Sequence, residues 1–93
     1  MIRVLIERQI AEDLGSHYDQ LSRELLQKAM HSHGFISGEV LHDIDDPNHR
    51  LVMATYRNVS DWQRWYGSAE RREMLETLEP LMEHEEKITI YEH

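Results

Sequence analysis

The chain has 93 residues, no linker-like segment and no cysteine; it has room for one compact domain over residues 1–93, and disulfide scaffolds and thiolate metal sites are excluded. Its formal net charge is −8, and from Glu70 onward eight acids face three bases, so a nucleic-acid partner is not expected because phosphate backbones would be repelled. No apolar run approaches the roughly 18 residues of a membrane span, and the opening MIRVLIERQ is a charged strand rather than a signal segment, so the expected location is cytoplasmic and no membrane contact is expected.

Ile2, Val4 and Ile6 alternate with Arg3, Leu5 and Glu7, the period-two pattern of a strand ending near Gln9. Ser16, with Asp19 three positions on, has the pattern of a helix N-cap with an acid in the first turn. Tyr18, Leu21, Leu25, Leu26, Ala29 and Met30 then recur at helical spacing, which places one apolar stripe on a helix of about four turns. That helix is expected to stop near His33, with Gly34 adopting the left-handed conformation that other residues take only at a cost.

Phe35 to Ile44 and Leu51 to Asn58 have strand character, and the intervening Asp45, Asp46, Pro47, Asn48 and His49 set a turn, so an antiparallel hairpin is expected. Leu51 to Ala54 are consecutively apolar, and a plain alternation sets Ile36, Val40 and Ile44 opposite Phe35 and Leu41. Both faces of the hairpin then call for burial. With the helices occupying one face, a second copy of the chain is the economical cover for the other. A chain of this length buries only about 60 to 65 per cent of its unfolded surface alone, which also favours a homodimer.

Ser60 and Gln63 form a capping-box pattern. The helix that follows is predicted in two pieces: Trp62, Trp65 and Tyr66 make an apolar edge up to Gly67, and Ser68 recaps a segment carrying Ala69, Leu75, Leu78 and Met82. Pro80 calls for a break between Leu78 and Leu81, and KITIY from Lys87 to Tyr91 makes a last strand. The predicted order is β-α-β-β-α-β, an α+β split βαβ arrangement with an antiparallel sheet.

These residues carry a resemblance. GFISGEVL, DDP, RLVMATY and SDWQRWYGSAERRE together resemble the antibiotic biosynthesis monooxygenase domain family, with Ile2 to Arg8 and Lys87 to Tyr91 matching its outer strands. The resemblance implies a ferredoxin-like unit that pairs through its sheets into a dimeric α+β barrel. The family includes cofactor-independent oxygenases, quinol oxygenases, haem-degrading enzymes and isomerases, so the fold alone does not settle the chemistry. The haem-degrading branch carries an asparagine late in strand one, a tryptophan in the second helix and a histidine about ten residues later. Trp65 meets the second requirement, but the other two positions fall on Glu7 or Arg8 and near Leu75, and the nearest later histidine, His84, lies beyond Pro80.

The oxygenase branch implies a small aromatic or quinol-like substrate whose anion reacts directly with oxygen, with no metal, flavin or other cofactor. Such a site needs apolar walls and a hydrogen-bonding partner for the anion. Phe35, Met53, Tyr56, Trp62 and Trp65 are the wall candidates, with Arg57, His42 and Glu7 as polar candidates. No fixed catalytic constellation stands out among them. Trp62 and Trp65, three apart on an amphipathic helix, suit core or subunit-interface anchors better than substrate stackers, and Tyr56 and His42 suit structural roles better than catalytic ones. His31 and His33 lack companion ligands and do not make a metal site. Arg71 and Arg72 are expected to pair at the surface with Glu70, Glu73 or Glu76. Two functions fit the chain: a monooxygenase, or a non-catalytic ligand-binding or accessory module of the same fold.

Overall fold

The first strand, β1 (Ile2–Gln9), keeps the alternation of its sequence: Ile2, Val4 and Ile6 are buried beneath the helices and Arg3 faces outward. The same phase carries Arg8 and Ile10 inward, both buried, in the computed structural model, which describes residues 1–92. Asp13, in the left-handed region with φ 69°, turns the chain into α1 (Gly15–Ala29). Leu14, not Ser16, holds the N-cap position, and no side chain caps it. Asp19 lies beyond the first turn, where its carboxylate accepts from Arg50 at 3.1 Å. Helix α1 buries Tyr18, Ser22, Leu25 and Ala29 and ends four residues before His33. Met30 consequently leaves the stripe and is exposed. Gly34 does take a positive φ of 83°, but at the entry to the next strand, where a Cβ would overlap the Asp61 carboxylate.

Strands β2 (Phe35–His42) and β3 (His49–Tyr56) form the expected antiparallel hairpin. Its turn is held by Asp43, whose carboxylate accepts from the Asp45 and Asp46 amides, and by Asp46, which accepts from Asn48. A register shift between Phe35 and Ser37 inserts Ile36 as a bulge. Phe35 therefore shares the helix side with Val40, because their cross-strand partners Tyr56 and Val52 both point there. Leu41 faces the other way, opposite Leu51, and Ile44 lies beyond the strand, fully exposed. The bulge is the reason a plain alternation mis-sorts these side chains.

The N-cap of helix α2 (Val59–Tyr66) is Asn58, two residues before Ser60, and it accepts from the Asp61 amide at 2.9 Å. Helix α3 (Ala69–Leu78) is recapped by Ser68, which accepts from the Arg71 amide, and Pro80 falls in a 3₁₀ turn, Glu79–Leu81. Its buried stripe is Arg71, Leu75 and Leu78, while Ala69 is exposed. Strand β4 (Lys87–Glu92) pairs antiparallel with β1, giving the order β2-β3-β1-β4 with β1 central.

All helices pack on one sheet face against Ile2, Val4, Ile6, Val52, Ala54 and Tyr56. The opposite face presents half-buried Leu5 and Met53, which are cross-strand partners, together with Leu51 and Leu41. After the 3₁₀ turn the chain is fastened to the end of β1, as Ala11 donates to Leu81 O and Glu83 to Gln9 O, at 2.8 and 2.9 Å. This fastening carries Glu86 toward Arg8.

Candidate functional site

Between α1, the sheet and the α2–α3 pair lies a cavity of about 30 Å³, walled on one side by Tyr56, Trp62 and Trp65 and on another by Leu25 and Ala29. That volume holds a water molecule rather than an organic ligand. The walls are fixed by packing. Tyr56 meets Phe35 edge-on at 5.5 Å and Trp62 at 5.7 Å, and Trp62 meets Tyr66 at 5.7 Å, so an aromatic row crosses from the hairpin to α2. The Tyr56 hydroxyl is not aimed at the cavity chemistry: Ser32 gives its proton to Ala29 O, so Tyr56 donates to Ser32 at 2.9 Å. Burial raises the Tyr56 phenol above its usual pKa, against the opposing effects of Ser32 and Arg71, and holds it neutral.

At one end of this cavity stand two buried cations. Arg8 comes from the inward phase of β1 and Arg71 from the buried stripe of α3. They share a single carboxylate. Arg8 Nη2 and Nε each lie 2.8 Å from Glu86 Oε2, and Arg71 Nη2 donates to Glu86 Oε1 at 2.5 Å. Arg8 Nη1 also donates to the Tyr18 hydroxyl at 2.9 Å. The Arg71 guanidinium lies 4.9 Å from the Tyr66 ring centre and 5.8 Å from that of Trp62. Burial alone would raise the Glu86 carboxyl, but Arg8 and Arg71 outweigh it and hold its pKa below the usual range. Burial alone would lower Arg8, and Tyr18 with Glu86 more than compensates. Two guanidinium groups on one carboxylate leave one positive charge over, in a region of low dielectric where it is felt strongly.

Arg71 also borders a second space. An open groove of about 690 Å³ runs between α3 and the segment leading into β4, bordered by Tyr66, Leu75, Met82, Glu86 and Ile88. Cavity and groove thus meet at Arg71.

The residues singled out in the sequence separate into three places. Tyr56, Trp62 and Trp65 come together around the cavity, and Phe35 supports Tyr56 from behind. Met53 and Glu7 belong to the opposite sheet face, Met53 across from Leu5 and Glu7 3.5 Å from His49. His42 is exposed at the edge strand, 3.7 Å from Asp19, and Arg57 is exposed at the start of α2, bonded to Asp61 and His33. Arg71, expected at the surface, is instead buried on Glu86, because spacings of four and three place it on one stripe with Leu75 and Leu78. Arg8, Tyr18, Ser22 and Glu86 were not among the candidates. The signal for Arg8 was its place in the run Ile2, Val4, Ile6, Arg8, Ile10; nothing in the sequence pointed to Glu86.

Among the described residues, no helix is long and apolar enough to cross a membrane. No curated protein matches the sequence. Solved structures match its fold over almost the whole chain. A conserved protein from Methanosarcina mazei Go1 superposes with a TM-score of 0.89 at 19% identity, over 97% of this chain and 89% of that one. SnoaB, a cofactor-independent oxygenase from Streptomyces nogalater, gives 0.89 at 10% identity, over 99% and 91%. Rv0793 from Mycobacterium tuberculosis gives 0.88 at 14%, over 99% and 93%. At these identities the likeness shows the ferredoxin-like α+β fold. The family itself is shown by sequence: the model of the antibiotic biosynthesis monooxygenase family matches residues 1–77, and the chain belongs to that family.

Proposed function

We propose that the chain is a cytosolic, cofactor-independent monooxygenase for a small aromatic or quinol-like substrate, working as a homodimer closed through the open sheet faces. The observation that carries this reading is the pairing of an aromatic wall, Tyr56, Trp62 and Trp65, with the buried cations Arg8 and Arg71 at its end. In this reading the cavity, water-sized as it stands, opens to admit an aromatic substrate against this wall. The substrate hydroxyl loses a proton more readily beside a surplus positive charge, and the electron-rich anion that results is the species dioxygen oxidises directly. SnoaB, of the same fold, is a cofactor-independent oxygenase. The dimer is supported by Leu5, Leu41, Leu51 and Met53, whose side chains share the sheet face that no helix of this chain covers.

A second reading, a ligand-binding module without catalysis, is favoured by one observation. Among the described residues, no histidine or carboxylate borders the interior cavity, so a base poised near neutral pH is missing there. Oxygen-electrode and product assays against a panel of quinols, anthrones and aldehydes, run aerobically and anaerobically, separate the two. Oxygen-dependent substrate loss is expected. Binding without oxygen-dependent loss, in folded protein, selects the binding module, and neither binding nor loss overturns both.

A further inference from the structure

We propose that Glu86 occupies the seat of a ligand carboxylate: a flat aromatic monocarboxylate binds from the groove, displaces Glu86 and takes its place between Arg8 and Arg71. The inference deepens the reading of this site as one for small aromatic ligands and rests on it.

The cations stand on regular elements and the anion does not. Arg8 belongs to the central strand and Arg71 to α3, with side chains only 2% and 6% exposed, whereas Glu86 is carried by the irregular stretch between the 3₁₀ turn and β4. Here one carboxylate serves two guanidinium groups, and each group contributes donors from a different element. A carboxylate from outside presents the same two oxygens to the same two donors, so the exchange leaves no cation unpaired.

The space for the rest of the ligand lies on the Glu86 side. At about 30 Å³ the interior cavity is too small for an aromatic ring, but the groove at about 690 Å³ is in the range of small-molecule sites. Tyr66, Leu75, Met82 and Ile88 give it apolar walls, with the Tyr66 ring already under Arg71. The remaining charged or titratable groups along it are Arg72, His84, Glu79 and Glu85. The two further carboxylates disfavour a ligand with more than one negative charge. That selects a monoanion with its charge at one end, pointing to Arg71 and Arg8.

The test is binding, with no turnover required. Isothermal titration compares 2-naphthoate with its uncharged counterpart 2-naphthamide, on the wild-type protein and on Glu86→Gln. In the wild type the acid is expected to bind about tenfold more tightly than the amide, the scale of one charge-assisted hydrogen bond. In Glu86→Gln, where no internal carboxylate competes, the acid gains about another tenfold and the amide stays within about twofold. Arginine Nε–Hε resonances of the wild-type protein give a second readout that does not depend on the variant folding. 2-Naphthoate is expected to move those of Arg8 and Arg71, and 2-naphthamide is not. Equal binding of acid and amide, no binding of the acid, or shifts that bypass both arginines each overturn the proposal. Oxygen-dependent turnover of an uncharged anthrone without any preference for acids removes this inference while leaving the oxygenase reading in place.

Discussion

Arg71 and Glu86 are joined at 2.5 Å, the α3 guanidinium donating to a carboxylate that reaches it from the stretch before β4. Among the described residues, the same carboxylate is the only acid bonded to Arg8, whose side chain is 2% exposed. Removing it strands two cations. Glu86→Ala is therefore expected to destabilise the fold by about 3 kcal/mol, and Glu86→Gln, which keeps hydrogen-bonding atoms in place, by about half as much. Urea unfolding of the two variants against wild type measures both values.

The pH dependence follows from the same group. A carboxyl whose pKa is lowered in the folded state contributes stability that is full above its ordinary value, about 4.3, and is lost as pH falls below that through the folded value. Because Glu86 is lowered, wild-type stability is expected to fall on acidification below about pH 4. Glu86→Gln is expected to lose less over that range. Thermal melts from pH 6 to 3 give the comparison.

Trp65 is only 7% exposed and packs in the core cluster, and the cavity beside it is too small to absorb its loss. Trp65→Ala is expected to cost about 3 to 5 kcal/mol. A loss below about 1 kcal/mol in chemical denaturation would show that the ring borders open space instead.

Gly34 combines a φ of 83° with a position where an added Cβ would overlap the Asp61 side chain. Gly34→Ala is expected to destabilise by about 2 kcal/mol or more, from the left-handed backbone and the displaced carboxylate together. Asp61→Ala in the same background removes the carboxylate but leaves its Cβ 2.6 Å from the new methyl, so the double-mutant cycle is expected to show only partial relief.

Leu5 sits at the centre of the uncovered sheet face, across from Met53 on one side and Thr89 on the other. Light scattering at micromolar concentration is expected to give the mass of a dimer for the wild type and of a monomer for Leu5→Lys, since a buried unpaired charge at the centre of an interface costs several kcal/mol. A wild-type monomer would remove the dimer from the proposed function.

The fold was legible wherever local physics decides. The alternation of Ile2, Val4 and Ile6, the glycine break at Gly67, the Ser68 cap and the Pro80 interruption all lie where the sequence places them. The capping residues at Ser16 and Ser60 were displaced because side-chain caps compete with tertiary demands: Asp19 is engaged by Arg50, and Asn58 reaches the Asp61 amide first. The run Leu51 to Ala54 hid the phase of β3, so Met53 could not be assigned a face until its register with Leu5 was known. The Arg8, Arg71 and Glu86 cluster was the least legible part. Its members come from three elements, and a charged residue in isolation reads as solvent-facing. Only the inward phases of β1 and α3 marked the two arginines.

The central position of β1 sets an order for biosynthesis. Its neighbours β3 and β4 are both made after it, and the partner of Arg8 lies 78 residues further along. A nascent chain can close the local β2–β3 hairpin early, but β1 stays without one neighbour, and Arg8 without its carboxylate, until translation has passed Glu86. The ion pair that seals the site is thus among the last native contacts of this domain that a ribosome can deliver.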